Sequence, residues 1–371
     1  MEGWSLELNA HSEEHGGIDP SELKKLGIAP VDLIDFSVNS NPFGPSPRVL
    51  NAIQSVDIST YPDRHCTGLK EALAQSNQVS PEHILIGNGT AELIWLIVLS
   101  SLKPGDKVLI VGPTFGEYRR AATAVGAQVQ EIRAEPPRFF PPVDQVIKSI
   151  ERDRPRLVFL CNPSNPTGVC LSSDVIEMMR KTCDANTTLV LDEAYCAFTD
   201  RCCDTVLPGG NHLVLRSMTK DFALAGLRLG YVIGDPALIE RIKHFQPAWS
   251  VNSLAQAAGI AAIMDEHYYQ STLSKLVQLR NAFFSQIKNL GYAMIPSDVH
   301  FGMIHADSPA KELRLMLLKS GIQVRDCTSF GLPEYIRIST RKEQDNMKLI
   351  QALKILQKNN PSPHKHKEEV R

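Results

Sequence analysis

The segment VLRSMTKDFALAGLRLGY, residues 214–231, runs from a strand-like apolar stretch into Lys220 and then into small residues that precede Arg228. A lysine at the end of a buried strand is costly unless its charge is neutralised or used. Burial also lowers the pKa of the amine, which can then form a Schiff base with a carbonyl group. We therefore expect Lys220 to carry a cofactor.

The composition limits the classes of function. The chain has 371 residues, 43% of them hydrophobic, which suffices for one large or two ordinary domains with a sizeable core. Its formal net charge is -2, which argues against a general binder of nucleic acids or anionic membranes. Small anions can still bind through local arginines and backbone N–H groups.

Cysteine usage and the N-terminal sequence predict a soluble protein of the reducing cytoplasm. The eight cysteines form no CxxC pair and no metal-finger spacing, so we predict no metal site. The first residues lack the basic and apolar regions of a signal peptide. The longest apolar run, LIWLIVLSSL, is too short to span a membrane.

Apolar runs with strand character alternate with segments of helical spacing. The strand-like runs are KVLIVGP, PRLVFLCNP, TTLVLDEAY, HLVLRSMTK and LGYVIG. Between them lie helical patterns such as EYRRAATAVGA and SSDVIEMMRKTCDA. This alternation predicts an α/β domain with a mostly parallel, buried central sheet.

The pattern changes beyond residue 250. One long or two consecutive helices are predicted from NSLAQAAG onward, followed by the short strand-like runs YAMIPS, FGMIHA, IQVRDC and YIRIST. We therefore predict a smaller α+β C-terminal domain. The predicted division is an N-terminal arm at 1–50, a large cofactor-binding domain at 51–249, the small domain at 250–358 and a disordered tail at 359–371. The HKH of that tail is interpreted as solvated.

Polar residues follow several of the predicted strands. In GNGT, residues 87–90, two glycines precede a helix whose N-terminus favours an anion, although tight turns also use glycine. Asn165 lies in CNPSNPTG after another strand, where ligands of α/β sheets bind; the alternative is a proline-rich loop. Asp192 ends the strand TLVLD and needs a partner there, unless it only caps a helix.

Together these strand ends supply what pyridoxal 5'-phosphate requires. They offer a cradle for its phosphate, a contact to its ring oxygen, an anion opposite its pyridine nitrogen, and an amine. None of these motifs alone is specific for this cofactor, but the four of them in this order are strong evidence for it.

The chain resembles the fold-type I pyridoxal-phosphate enzymes of the class I/II aminotransferase superfamily over roughly residues 15–355. The resemblance makes Lys220 the cofactor-binding catalytic lysine and Asp192 the partner of the pyridinium nitrogen. Asn165 and Tyr195 would contact the ring oxygen, and Phe115 would stack on the ring. The remaining cofactor residues that it implies are Gly89, Thr90, Ala91, Ser217, Thr219 and Arg228, with Tyr61 reaching the cofactor phosphate of a neighbouring subunit in a homodimer with shared active sites.

Two arginines in strand-like runs near the end are candidates for binding the substrate. The resemblance makes Arg337 the carboxylate fork, with Arg325 beside it, and guanidinium suits bidentate recognition of planar anions. The alternative is that both arginines form surface salt bridges.

Two branches of the superfamily fit the sequence. The N-terminal HGG and the run LGIAPVDLIDFSVNSNPFG resemble threonine-phosphate decarboxylase of cobalamin biosynthesis, which would place His15, Gly16, Asn39 and Asn165 at the substrate. The runs PTFGEY, LAGLRLGY and DEAY fit histidinol-phosphate aminotransferase at least as well. We favour the decarboxylase, because its match extends through the segment expected to cover the substrate. In either case the partner is a small phosphorylated amino acid or amine.

Two other classes are weighed. A non-catalytic relative could use the fold for binding only, but the joint presence of Lys220, Asp192, Asn165 and Arg228 argues against it. A nucleotide-binding protein is disfavoured, since both GxGxxG and GxxxxGK[ST] are absent.

Overall fold

The computed structural model describes residues 16–29, 33–200 and 210–359. His15 and the C-terminal HKH therefore lie outside the described residues. Among the helices that are described, none combines the length and the apolar character needed to cross a membrane.

The described chain alternates helices and strands. The helices are α1 (Pro20–Leu26), α2 (Pro47–Gln54), α3 (Thr67–Asn77), α4 (Gly89–Ser101), α5 (Glu117–Ala124), α6 (Val143–Asp153), α7 (Ser173–Thr182), α8 (Pro236–Lys243), α9 (Ser253–Ile263), α10 (Glu266–Asn289), α11 (Ala310–Lys319) and α12 (Glu343–Asn359). The strands are β1 (Ile34–Asp35), β2 (Ile84–Gly87), β3 (Lys107–Gly112), β4 (Gln128–Arg133), β5 (Leu157–Cys161), β6 (Thr188–Asp192), β7 (His212–Ser217), β8 (Gly230–Gly234), β9 (Phe301–His305), β10 (Ile322–Gln323), β11 (Arg325–Asp326) and β12 (Tyr335–Ser339).

Seven strands form the central sheet in the order β2-β8-β7-β6-β5-β3-β4. The five strands from β7 to β4 are parallel, and only β8 runs against its neighbours. Alternate residues of β5 enter two different hydrophobic clusters, which shows that both faces of the sheet are covered. This explains the continuous apolar runs, and the predicted mostly parallel α/β sheet is confirmed.

Two smaller sheets lie beyond the central one. Strands β11, β12 and β9 form an antiparallel sheet, and β1 pairs with β10 in parallel. The run YAMIPS contributes only an isolated bridge through Met294 instead of the expected strand. The N-terminal segment is thus bound to C-terminal strands, which brings residues 34–39 close to β12.

The long helical region divides into α9 and α10 near Met264. Helix α9 packs on α2 and α3, and its small alanines enter the hydrophobic cluster beside the central sheet. The predicted domain boundaries stay a prediction, and this packing favours placing α9 with the large domain.

The register of the central sheet brings the predicted site residues together. Cys161 of β5 lies opposite Asp192 of β6, and Asp192 lies opposite Leu215 of β7. The antiparallel strand β8 places Gly230 opposite both Gly87 and Ser217. The segments that follow β5, β6 and β7 therefore start from one edge of the sheet.

We predict that Gly230→Ala destabilises the protein by about 1–3 kcal/mol, the usual cost of overpacking. A Cβ at Gly230 would lie 2.9 Å from the backbone nitrogen of Thr90 and 3.1 Å from the carbonyl oxygen of Arg216, neither of which can rotate away. Urea denaturation of wild type and variant measures the change in the free energy of unfolding. The control is Gly226→Ala, whose Cβ would meet nothing within 4 Å. Equal stabilities of the two variants would contradict the account of this close approach.

Candidate active site

A cavity of about 360 Å³ opens at the carboxyl edge of the central sheet. Its wall combines residues that follow β5, β6 and β7 with residues of β11, β12 and the N-terminal segment. The predicted site residues that line it are Gly16, Asn39, Ala91, Phe115, Asn165, Tyr195, Lys220, Arg228, Arg325 and Arg337.

Lys220 follows β7 and lies half-buried in the cavity wall. Its carbonyl oxygen accepts a hydrogen bond of 2.8 Å from the backbone N–H of Asn41, which fixes the loop that carries it. Burial lowers the pKa of its ammonium group to about 8, assisted by the positive charges of Arg337 and Arg228 and opposed by Asp192. About a tenth of the amine is therefore neutral at pH 7, far more than for an ordinary lysine, and a nucleophile requires this neutral form.

Asp192 ends β6 and is only 3% exposed. Its Oδ1 accepts a hydrogen bond of 3.0 Å from the backbone N–H of Ala194, and its Oδ2 accepts one of 2.6 Å from the Tyr118 hydroxyl. Burial raises the pKa of this carboxyl group, while the two hydrogen bonds and the nearby Lys220 favour the charged form. The alternative that Asp192 only caps a helix is not supported, because the short helical turn that follows it, Cys196–Phe198, has Tyr195 at its N-cap.

The start of α4 forms a cradle for an anion. Gly89 begins the helix with φ +78°, and a Cβ there would lie 2.9 Å from a terminal nitrogen of Arg228. On the other side of β8, at the end of β7, the hydroxyl oxygens of Ser217 and Thr219 lie 2.7 Å apart. Backbone N–H groups, two hydroxyls and a guanidinium are the donors that a phosphate dianion prefers.

Arg337 of β12 crosses the cavity toward the central sheet. It is buried, and it donates hydrogen bonds to the side-chain oxygen of Asn165 and, at 2.6 Å, to the carbonyl oxygen of Ser37. Nearby, the amide of Asn39 donates to the Tyr195 hydroxyl at 3.4 Å. The guanidinium is thus oriented by two partners on different segments.

Arg325 of β11 lies directly opposite Arg337 in the antiparallel pair. It is 5% exposed, donates a hydrogen bond of 2.6 Å to the Ser329 hydroxyl, and has its guanidinium carbon 5.3 Å from the centre of the Phe330 ring. Because both arginines are buried in the cavity wall, the alternative of two surface salt bridges is excluded.

The N-terminal segment closes one side of the cavity. Gly17 donates its backbone N–H to the Ser37 hydroxyl at 2.7 Å. A Cβ at Gly16 would collide with the Ser37 carbonyl oxygen and approach Arg337 to 3.5 Å, so glycine permits this close contact.

Tyr61 is not part of this cavity. Its side chain is 80% exposed and its ring stacks on Trp249, with the centroids 4.7 Å apart. Its predicted contact to a neighbouring subunit's cofactor stays a prediction.

Sequence reasoning did not identify two residues of the PTFGEY motif as part of the site. Tyr118 holds Asp192, and Glu117 lines the cavity, where it accepts hydrogen bonds from Trp95 at 3.0 Å and Arg120 at 3.2 Å. The sequence signal that could have identified them is their spacing: Glu117 and Tyr118 follow Phe115 by two and three residues, at the buried start of α5.

These residues fit pyridoxal 5'-phosphate. Lys220 would provide the amine, Asp192 the anion for the pyridine nitrogen, and the cradle at Gly89 the site for the phosphate. The fit rests on the low pKa of Lys220, the buried carboxylate and the glycine that leaves room beside Arg228.

Comparison with known proteins gives consistent results. A family model described as aminotransferase class I and II matches residues 31–353. A histidinol-phosphate aminotransferase from Moorella thermoacetica is 32% identical over 89% of this chain and 86% of its own. The crystal structure of histidinol-phosphate aminotransferase from Sinorhizobium meliloti in complex with pyridoxal-5'-phosphate superposes with a TM-score of 0.84 at 26% identity, covering 92% of this chain and 95% of that one. L-threonine-O-3-phosphate decarboxylase from Porphyromonas gingivalis has a TM-score of 0.77 at 25% identity, covering 87% and 99%.

We predict that the rate at which the apoprotein captures pyridoxal 5'-phosphate rises with pH through a midpoint near 8, because the neutral form of Lys220 reacts. Stopped-flow absorbance at about 420 nm follows the capture. In Arg337→Gln the midpoint should move to higher pH, since a nearby positive charge is lost. Lys220→Ala should give no such signal, whereas the exposed Lys319→Ala should behave as wild type. A midpoint near 10.5, the ordinary value for lysine, would contradict the account.

Proposed function

Because the chain belongs to the aminotransferase class I and II family and uses pyridoxal 5'-phosphate, we propose that it transfers the amino group of a small phosphorylated amine or amino acid, as histidinol-phosphate aminotransferases do. The identity of 32% to such an enzyme over most of both chains supports this reaction over the decarboxylation favoured by the N-terminal sequence.

The observation that carries the proposal is the pair of buried arginines. Arg325 and Arg337 are neighbours on antiparallel strands and line the same cavity as Lys220. Arg228 lies beside the phosphate cradle, so we assign it to the cofactor, and we assign Arg325 and Arg337 to the substrate. Guanidinium binds phosphate and carboxylate through the same fork. One site can therefore accept a phosphorylated amine in one half-reaction and a 2-oxo acid in the other.

The residues of the chain have distinct roles in this proposal. The cofactor, when bound, supplies the electron sink for bond cleavage at the substrate's α-carbon. Asn165 and the Ser37 carbonyl orient Arg337, so that the substrate anion is held in one position. Because the pKa of Lys220 is lowered, part of this amine is neutral, and its Nζ can accept a proton from the substrate and return it. Phe115 and Gly16 line the cavity and would shield the bound cofactor from water where they contact it.

A second candidate is decarboxylation of L-threonine O-3-phosphate. Gly16, the first glycine of the HGG motif, packs against Ser37 and lines the cavity beside Arg337. The likeness to the decarboxylase from Porphyromonas gingivalis supports this candidate less strongly than the aminotransferase relatives support the first.

We also propose a homodimer with shared active sites. Tyr61 and Ile58 are 80% and 79% exposed, and Trp249 is 46% exposed beside Tyr61. Aromatic and aliphatic side chains so exposed suit a protein interface.

A paired substrate assay tests the reaction. The cofactor-loaded protein receives histidinol phosphate with 2-oxoglutarate in one experiment and O-phospho-L-threonine in the other. We expect glutamate in the first and no CO2 in the second. Arg337→Gln should lower kcat/KM at least about 30-fold, the effect of removing one partner of a buried charged contact. The control Arg152→Gln changes an arginine whose side chain is 71% exposed and should be neutral. Release of CO2 without glutamate would replace the first candidate by the second.

Mixing two inactive variants tests the shared site. If Tyr61 of one subunit completes the site of the other, a mixture of Lys220→Ala and Tyr61→Ala refolded together should be more active than the sum of the separate variants. The heterodimer then contains one intact site. Activity equal to that sum, or a monomer in sedimentation velocity, would refute the proposal.

A further inference from the structure

We propose that Tyr118 is a positioning residue that sets the orientation and ionisation of the Asp192 carboxylate, and thereby the protonation of the cofactor's ring nitrogen. The inference rests on the proposed role of Asp192 and holds for either candidate reaction. Its basis is the hydrogen bond of 2.6 Å from the Tyr118 hydroxyl to Asp192 Oδ2.

Packing fixes the ring of Tyr118. The residue lies in the first turn of α5 and is 0% exposed. Its ring stacks on Phe159 with the centroids 4.8 Å apart and the planes at 8°, and it meets Phe115 edge-on at 5.8 Å. Phe159 belongs to β5, the strand that pairs with the strand of Asp192. The hydroxyl is therefore held toward the carboxylate by the same sheet that carries Asp192.

The hydrogen bonds of Asp192 leave room for the cofactor. An ionised carboxylate has about four acceptor positions. Tyr118 donates to Oδ2 and the backbone N–H of Ala194 donates to Oδ1, so each oxygen keeps a lone pair for a pyridinium N–H. The Ala194 donor belongs to the backbone, so among the described residues Tyr118 is the side chain shown to donate a hydrogen bond to this carboxylate, while Lys220 acts on it through its charge.

The chemistry of the surroundings favours this role. Burial raises the pKa of Asp192, and the Tyr118 hydrogen bond opposes that rise. Burial and the negative charge of Asp192 also raise the pKa of Tyr118 well above its ordinary value, so the phenol stays a donor at physiological pH. Cys161, close to both, has its pKa raised by burial and stays a neutral thiol. Without Tyr118 the carboxyl would protonate more readily, and a neutral acid cannot stabilise a pyridinium.

The test measures the ring nitrogen directly. The holoenzyme is prepared with ¹⁵N-labelled pyridoxal 5'-phosphate, and the ¹⁵N chemical shift is followed against pH. In Tyr118→Phe the midpoint of protonation should fall by about one to two pH units, the worth of one hydrogen bond to a charged group. The matched control is Tyr231→Phe, a buried tyrosine whose hydroxyl pairs with Asn77 instead. It should titrate as wild type.

Two further variants make the result decisive. 3-Fluorotyrosine at position 118 keeps the shape but is a stronger donor, so the midpoint should rise; this variant decides the matter if Tyr118→Phe folds poorly. Asp192→Asn should lower the midpoint more than Tyr118→Phe does. A midpoint unchanged in both Tyr118 variants overturns the inference, even if activity falls. A midpoint unchanged in Asp192→Asn overturns the proposed role of Asp192 and the inference with it.

Discussion

The site depends on the parallel register of β5, β6 and β7. Because Cys161, Asp192 and Leu215 lie side by side across these strands, the chain after each strand enters the same space. Helix N-termini point toward this edge in an α/β sheet, so the start of α4 adds donors for an anion. Because β8 is antiparallel, its first residue, Gly230, and the preceding Arg228 lie beside the start of α4. A single arrangement of strands thus brings an amine, a carboxylate and an anion cradle together.

The charges of the cavity determine what it can bind. Lys220, Arg228, Arg325 and Arg337 line one cavity, and the positive charges of Arg337 and Arg228 add to burial in lowering the pKa of Lys220. Buried guanidinium groups are costly in free energy unless they are paired. Arg337 donates to Asn165 and Ser37 and Arg325 donates to Ser329, and all three acceptors are uncharged, so anionic ligands would further offset the positive charge of the cavity. The excess of positive charge therefore favours two anionic ligands, the cofactor with its phosphate and a negatively charged substrate.

The sequence alone predicted those parts of the site that follow directly from strands. Lys220, Asp192 and Asn165 stand next to apolar runs, so their convergence follows from the parallel sheet. The contact of Tyr118 with Asp192 was not predictable in this way, because it joins residues 74 positions apart and depends on the rotation of α5. The packing of Gly16 on Ser37 and Arg337 likewise depends on the pairing of β1 with β10. The reaction type was the hardest part, since transamination and decarboxylation use the same groups and differ in the orientation of one substrate bond.

The most direct test of the account is the identity of the residue that binds the cofactor. The holoenzyme is reduced with borohydride, digested and analysed by mass spectrometry, which locates the pyridoxyl group on the chain. The account predicts one modified residue, Lys220, in stoichiometric amount. Modification of a different lysine, or of several lysines in part, would contradict the assignment of the site.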